Sequence, residues 1–337
     1  MKFTRILAGV AVSAGLATAA QAAEYTLTIA SWAPPTHGVN AETWPTITKM
    51  IEDATGGRVT AEIKYGLAPP PAMMDLVQDG AADMTWIFHG YTPGRFTATQ
   101  LIELPGYNGN AEAASVAYWR VYNKYFAKLD EHRGVKLIGL HTHGPAALHT
   151  HEPVTELSQV KGMKLRLPGG VGSKIGEALG AVGIQVPAPK VYETLASKAA
   201  DGVLMPMESR KGFKLTEVAQ NVYMMPGGLY RGSFAFIMNQ DKFDSFPPDI
   251  QKALEEKVFG EPISRVAGQV WDKIDAEGLA VTKADPTNAI HEASDADVAA
   301  FKKIADGVTK EVLAEIDAKG VDGEAAMAEI QVEMDKN

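Results

Sequence analysis

Residues 161–179 read Lys-Gly-Met-Lys-Leu-Arg-Leu-Pro-Gly-Gly-Val-Gly-Ser-Lys-Ile-Gly-Glu-Ala-Leu, a run that few folds can use. Met163, Leu165 and Leu167 alternate with Lys164 and Arg166, the period-two pattern of a half-buried strand. Pro168, Gly169 and Gly170 break that strand, and the spacing predicts a helix from Ser173 to Leu179. Arg166 then lies near a strand end that faces a helix N-terminus. A planar guanidinium there can grip a carboxylate through two parallel hydrogen bonds, and the helix N-terminus also favours an anion. On this stretch alone a second reading stays open, in which Arg166 is a solvated residue of an edge strand.

The chain opens as a targeting segment. Lys2 and Arg5 precede a short apolar run from Ile6 to Ala19, and Ala20-Gln-Ala22 suits cleavage. Residues 1–22 are thus read as a signal peptide, with an exported, periplasmic protein beginning near Ala23. Removing Lys2 and Arg5 takes the formal charge from −9 to −11, which argues against nucleic acid or an anionic membrane as partner. The chain has no cysteine, so an exported protein of this length must be stabilised by its core alone.

Downstream, the sequence predicts strand over Tyr25–Trp32, helix over Asn40–Asp53, strand over Arg58–Tyr65, helix over Ala72–Gln78 and strand over Met84–Phe88. That β-α-β-α-β order favours a mostly parallel sheet covered by helices. Ligands of such sheets bind outside the carboxyl ends of the strands, which is where Trp32 and the run Trp86-Ile-Phe-His89 fall. A long helix follows over Ala111–Leu129 and a strand over Val135–His141. Gly232–Asn239 reads as a strand. A long helical tract then begins at Pro247-Pro248, is kinked at Glu261-Pro262 and resumes to about Leu279. Asp295–Lys319 and Gly323–Asp335 read as charged terminal helices with solvated faces. Leu76–Asp83 and Leu195–Asp201 both close a helix before a strand, a weak internal echo of two similar lobes.

Other chemistry finds less support. His141, His143, His149 and His151 are paired at i, i+2 and could ligate a metal; the plainer reading is a polar segment where the chain crosses between lobes. Pro168–Lys174 lacks the ending of a phosphate loop, because Ser173 precedes Lys174. His291-Glu292 lacks the second histidine of a zinc protease, and no G-x-S-x-G motif occurs. Neither a cofactor nor a catalytic residue is called for. Phe234 and Phe236 read as core.

After Arg166, Val191-Tyr-Glu-Thr-Leu195 leads to Ala199-Ala-Asp-Gly-Val203 and Leu204–Met207. The order G-x-K-h-R-h-P, V-Y-x-x-L, A-x-D-G resembles the solute-binding proteins of tripartite ATP-independent periplasmic (TRAP) transporters, the DctP-like family, from about Tyr25 to about Val270. The resemblance implies an α/β fold of two lobes, with hinge strands and a long helix spanning both. Lobe I would hold 23–145 and 232–271, and lobe II 146–231 and 272–337. It implies that Arg166 binds the substrate carboxylate, and that the partners are a small organic acid and the small and large membrane subunits of an ion-gradient-driven transporter.

Departures from the sialic-acid-binding members shape the expected ligand. Phe88 stands where they carry an acid, Ala146 near a second arginine, and Met205 and Gly169 at two asparagines. Fewer polar groups then await a sugar hydroxyl or a second carboxylate. Trp86, Phe88, Met205 and Tyr230 could instead surround a ring or branched chain, with His89 giving one polar contact. The expected ligand is a monocarboxylate with an apolar or aromatic body, such as an aromatic acid or a branched 2-oxo acid. Rival readings are a C4-dicarboxylate or sugar-acid binder of the same family, an exported α/β enzyme, and a binding protein for an ATP-driven importer or a sensor kinase.

Overall fold

A computed structural model describes residues 22–337, so the targeting segment read over 1–22 falls almost wholly outside it. The strands, in chain order, are β1 (Tyr25–Ser31), β2 (Val59–Tyr65), β3 (Met84–Phe88), β4 (Lys136–Thr142), β5 (Ala146–Thr150), β6 (Lys164–Leu167), β7 (Val182–Gln185), β8 (Gly202–Pro206), β9 (Asn221–Met224), β10 (Ser233–Met238) and β11 (Ala289–Glu292). They form two sheets, ordered β2-β1-β3-β10-β4 and β11-β9-β5-β8-β6-β7. The structure is the two-lobed α/β architecture that the family resemblance implied.

In the first sheet β1 runs parallel to β2 and β3, while β10 enters antiparallel between β3 and β4. All five residues of β3 are buried, as expected of a strand covered on both faces. Ile29, Trp86 and Phe236 pack there with Trp44, Ile47 and Ile51 of the Trp44–Thr55 helix. The second sheet sets β6 parallel to both β7 and β8. β6 therefore lies inside that sheet, and only Lys164 among its residues is exposed. The half-buried, edge-strand reading of this segment is corrected: Arg166 is buried, at 2 % exposure.

The helix after β6 spans Gly170–Ala178, three residues earlier than its sequence suggested. Gly169 and Gly170 have φ of 101° and 55°, so the glycines that look like breakers shape the helix entry itself. The expected kink at Glu261-Pro262 is also corrected. One helix ends at Lys257 and another runs from Glu261 to Ala284. The break is at Gly260, with φ 84°, and Pro262 occupies the first turn of the second helix, where a missing N–H costs nothing. β9 and β11 are four-residue strands, too short for a period-two pattern to show.

Three segments join the sheets: the link from β4 to β5, the link from β9 to β10, and the Glu261–Ala284 helix. At about 1.5 Å per residue, this 24-residue helix is long enough to serve both lobes. Asp272 caps the Ala111–Val121 helix, accepting from Ala111 N at 2.7 Å and Glu112 N at 3.0 Å. About one turn on, Asp275 accepts from Glu208 N, just past β8, at 2.7 Å. Gly268 and Gly278 notch the helix at these contacts, with backbone of Glu112 and of Met207 where a Cβ would sit. Among the described residues no helix is long and apolar enough to cross a membrane.

Gly278 tests this packing. Gly278→Ala places a methyl group against the Met207 carbonyl, which is backbone and cannot rotate away. Overpacking of this kind costs about 1–3 kcal/mol, so the urea midpoint of the variant should fall while Gly307→Ala, where the added carbon meets nothing, leaves it unchanged or raised.

Candidate ligand-binding site

The carboxyl ends of β1 and β3 face the second sheet across a cavity. β1 delivers Trp32, and β3 with the turn after it delivers Phe88 and Tyr91. From the other side come Arg166 on β6 and Pro168, together with Met205, Pro206 and Glu208 from the end of β8. Tyr230, Phe234 and Trp271 close the wall nearest the links between the sheets. Of the residues singled out in the sequence, Arg166, Trp32, Phe88, Met205 and Tyr230 line this space; Trp86, His89 and Gly169 do not.

Arg166 carries the only guanidinium in the lining. Its Nε donates to Val186 O at 2.8 Å, and its Nη2 lies 3.5 Å from Tyr91 Oη. No Asp or Glu forms a salt bridge with it among the described residues. Tyr91 Oη accepts from Ala188 N at 2.8 Å, which leaves its own proton free to donate beside the guanidinium. Burial raises the Tyr91 pKa, and the nearby Arg166 charge offsets this only in part, so the phenol stays protonated. The site thus presents two kinds of donor to one anion, in a setting where an unpaired buried charge is costly.

Stacked rings form much of the rest. Trp32 lies on Trp86 at 4.0 Å between centroids and 15° between planes. Trp86 stacks on Phe234 at 5.6 Å, and Phe234 on Trp271 at 5.5 Å. Trp86 is therefore one layer behind the wall, donating Nε1–H to Ser31 Oγ at 2.9 Å while its carbonyl accepts from Trp32 Nε1 at 3.0 Å. Phe236 is core, as its sequence suggested, whereas Phe234 also reaches the cavity; a buried aromatic on a strand gives no local sign of which side is open. Tyr91, His37, Glu208, Phe213, Phe234 and Trp271 are cavity residues that the sequence reading did not single out for the site. Tyr91 and Glu208 carried a signal, since each follows a strand end already assigned to the cleft.

Three of the four histidines singled out in the sequence have ring contacts inside the protein. His141 Nδ1 accepts from Trp271 Nε1 at 3.0 Å, and its ring stacks on Phe234 at 5.0 Å. His149 Nε2 lies 2.9 Å from Met205 O. His143 faces the cavity, with Nδ1 2.6 Å from Gly144 O. Burial lowers all three to a pKa of about 3, so they are neutral rings. Among the described residues no group of three or more His, Asp or Glu could hold a metal ion.

His89 spends both ring nitrogens inside the protein, on Ser233 Oγ at 3.0 Å and His132 Nε2 at 2.9 Å. It borders a neighbouring cleft rather than the aromatic cavity. Ser233 Oγ in turn donates to the buried Glu103 at 2.5 Å. Glu103 also accepts from Val171 N at 2.8 Å, in the first turn of the Gly170–Ala178 helix. Gly169 packs its Cα against the Gly90 carbonyl, and its positive φ suits only glycine.

A buried arginine without an internal carboxylate, facing ring-lined walls between two hinged sheets, defines a solute-binding protein of the two-lobed type. The profile of bacterial extracellular solute-binding protein family 7, DctP, matches residues 30–316, and the chain belongs to that family. Its fold matches a TRAP periplasmic solute-binding protein from Bordetella bronchiseptica, which holds (R)- and (S)-mandelate, with TM-score 0.89 and 37% identity over 92% of this chain and 99% of that one. It also matches a TRAP solute-binding protein from Rhodoferax ferrireducens, in complex with benzoate, with TM-score 0.85 and 27% identity over 92% and 98% of the two chains. The outer membrane transporter protein TsaT of Comamonas testosteroni is 28% identical over 330 residues, 97% of each chain. These relatives are solute-binding and transport proteins rather than enzymes.

Glu103, beside the site, gives the fold a pH signature. Burial lifts its pKa from 4.5 to about 7, against the opposing hydrogen bonds from Ser233 and Val171. A raised carboxyl pKa means the folded state binds the extra proton, so this stabilisation is complete below about pH 4.5 and is lost as pH rises through about 7. Glu103→Gln cannot titrate. The melting temperature of the wild type should therefore fall relative to that of Glu103→Gln between about pH 5 and about pH 8, measured by scanning calorimetry in matched buffers.

Proposed function

We propose that this protein is exported to the periplasm, captures a small aromatic monocarboxylate between its lobes, and delivers it to the membrane subunits of a TRAP transporter. The observation that carries the reading is the buried Arg166 guanidinium, paired with Val186 O and Tyr91 Oη but with no carboxylate. Arg166 and the Tyr91 hydroxyl hold the ligand carboxylate; Trp32, Phe88, Met205, Tyr230 and Phe234 enclose its ring. Support comes from the mandelate and benzoate in the two relatives. A branched 2-oxo acid satisfies the same charge but leaves the flat faces of Trp32 and Phe234 unmatched. No catalytic step is assigned, and the bound acid should be recovered unchanged.

The proposed moving bodies are residues 23–145 with 232–271, and 146–231 with 272–322. The Gly323–Met334 helix was expected with the second body, but we place it with the first because Arg120 of the Ala111–Val121 helix pairs with its Glu333 at 2.7 Å. Closure brings Tyr91 to Ala188 and His37 to Glu208, expels water and strengthens the ion pair. A cleaved segment over residues 1–22 completes the reading of an exported receptor.

Calorimetry tests the anchor. Arg166→Ala should weaken binding of benzoate or mandelate about a hundredfold or more, since a charge-assisted bidentate pair is lost. Arg166→Lys should restore little, because a point charge cannot form the fork. Unchanged affinity in Arg166→Ala would remove the assignment. A thermal-shift panel of benzoate-like acids, 2-oxo acids, C4-dicarboxylates and sugar acids tests the ligand class; stabilisation only by the last two groups would overturn it. Small-angle scattering should record a smaller radius of gyration with saturating ligand than without.

A further inference from the structure

One further charged group lines the cavity, and anchoring a carboxylate gives it no task. Glu208 follows β8, is 2 % exposed, and borders the same space as Arg166. Its Oε2 lies 3.4 Å from Nε2 of His37, which is also buried. His37 Nδ1 accepts a hydrogen bond from Val39 N at 3.2 Å. That bond occupies the Nδ1 lone pair and leaves Nε2 as the ring nitrogen that faces Glu208. His37 cannot swing away readily, because Trp271, Phe213 and Trp86 pack around it at 5.5, 5.4 and 5.8 Å.

Glu208 is held as firmly. Its backbone N–H donates to Asp275, and its backbone packs on Gly278 of the long helix. Among the described residues no side chain donates a hydrogen bond to its carboxylate, and the His37 contact is its one ion-pair approach, although a carboxylate has room for about four donors. A buried carboxylate with so few donors carries an unmet demand for another. It also repels a second anionic group at its end of the cavity. Arg166 and Glu208 therefore ask opposite things of one ligand: an anion at one place and a hydrogen-bond donor at another.

Building on the reading of this cavity as an aromatic-acid site, we propose that Glu208, held beside His37, is a specificity-determining residue that accepts a hydrogen bond from a hydroxyl group of the bound acid. The protein then selects hydroxylated aromatic monocarboxylates over their unsubstituted parents and over aromatic dicarboxylates. His37 lies just after β1 and Glu208 just after β8, so the pair also spans the cleft. A clasp alone would change the affinity of every ligand by the same factor. An acceptor for the ligand changes the ratio between hydroxylated and parent acids, and the two roles separate on that ratio.

The test is calorimetry on the mature chain with matched pairs: mandelate against phenylacetate, and 3- and 4-hydroxybenzoate against benzoate, with terephthalate as the dianion. In the wild type at least one hydroxylated acid should bind about tenfold or more tighter than its parent, and terephthalate should bind at least about tenfold more weakly than benzoate. In Glu208→Ala the hydroxyl preference should fall to within about twofold. Glu208→Gln, which keeps the shape and removes the charge, should admit terephthalate and serves if the alanine variant does not fold. Equal binding of all pairs in the wild type, a hydroxyl preference that survives in Glu208→Ala, or terephthalate binding as tightly as benzoate to the wild type would each overturn the proposal. Parent acids that bind and are lost in Arg166→Ala uphold the aromatic-acid reading whatever happens at Glu208. A wild type that binds no aromatic acid ends both.

Discussion

A guanidinium withdrawn from water needs a counter-charge, and none of the described carboxylates pairs with Arg166. Val186 O and Tyr91 Oη take part of its hydrogen-bonding capacity, and neither is charged. The remaining electrostatic demand suits an anion entering the cavity. This constraint orders the rest of the site. β6 must lie inside its sheet to bury the residue, and the Pro168-Gly169-Gly170 turn must clear space beyond it. The opposite sheet must bring a donor, Tyr91, whose own oxygen is already committed to Ala188.

Several contacts across the cleft are polar, whereas the hinge elements are covalently continuous. Tyr91 to Ala188, His37 to Glu208 and Glu103 to Val171 each join one sheet's surroundings to the other's. Each is a hydrogen bond or a weak ion pair that water can replace when the lobes part, so its net contribution is modest. The Glu261–Ala284 helix differs. Asp272 and Asp275 receive backbone N–H groups from both sides, and the glycine notches remove any slack. Stiff hinge elements beside replaceable cleft contacts are what a protein needs if one small anion is to decide whether it is open or closed.

The walls of the cavity suit the aromatic acid proposed as its ligand. Stacked tryptophan and phenylalanine rings offer flat apolar faces, and burial keeps His141 and His143 neutral rather than cationic. A polyol would leave hydroxyls unpaired against these faces, at about 1–3 kcal/mol each. The Glu103–Ser233–His89–His132 chain runs beside the cavity instead of into it, so the buried polar groups nearby do not dilute its apolar character.

Much of this was written in local pattern. The period of two around Arg166, the glycine turn after it and the β-α-β-α-β order are short-range properties, and they carried the α/β class, while the order of motifs around Arg166 carried the family resemblance. Local pattern failed where a residue's role depends on what faces it. Trp86 and Phe234 are both buried aromatics on adjacent strands, and only the packing of Trp32 over Trp86 decides that one is backing and the other is wall. His89 looked available because its partners, His132 and Ser233, are 43 and 144 residues away. Likewise His37 and Glu208 meet only when the two sheets do. The sequence by itself determined which segments become strands and helices, because those preferences are set by near neighbours. The tertiary structure alone decided which buried polar groups keep a vacant hydrogen-bonding position, because that depends on partners brought together from far along the chain.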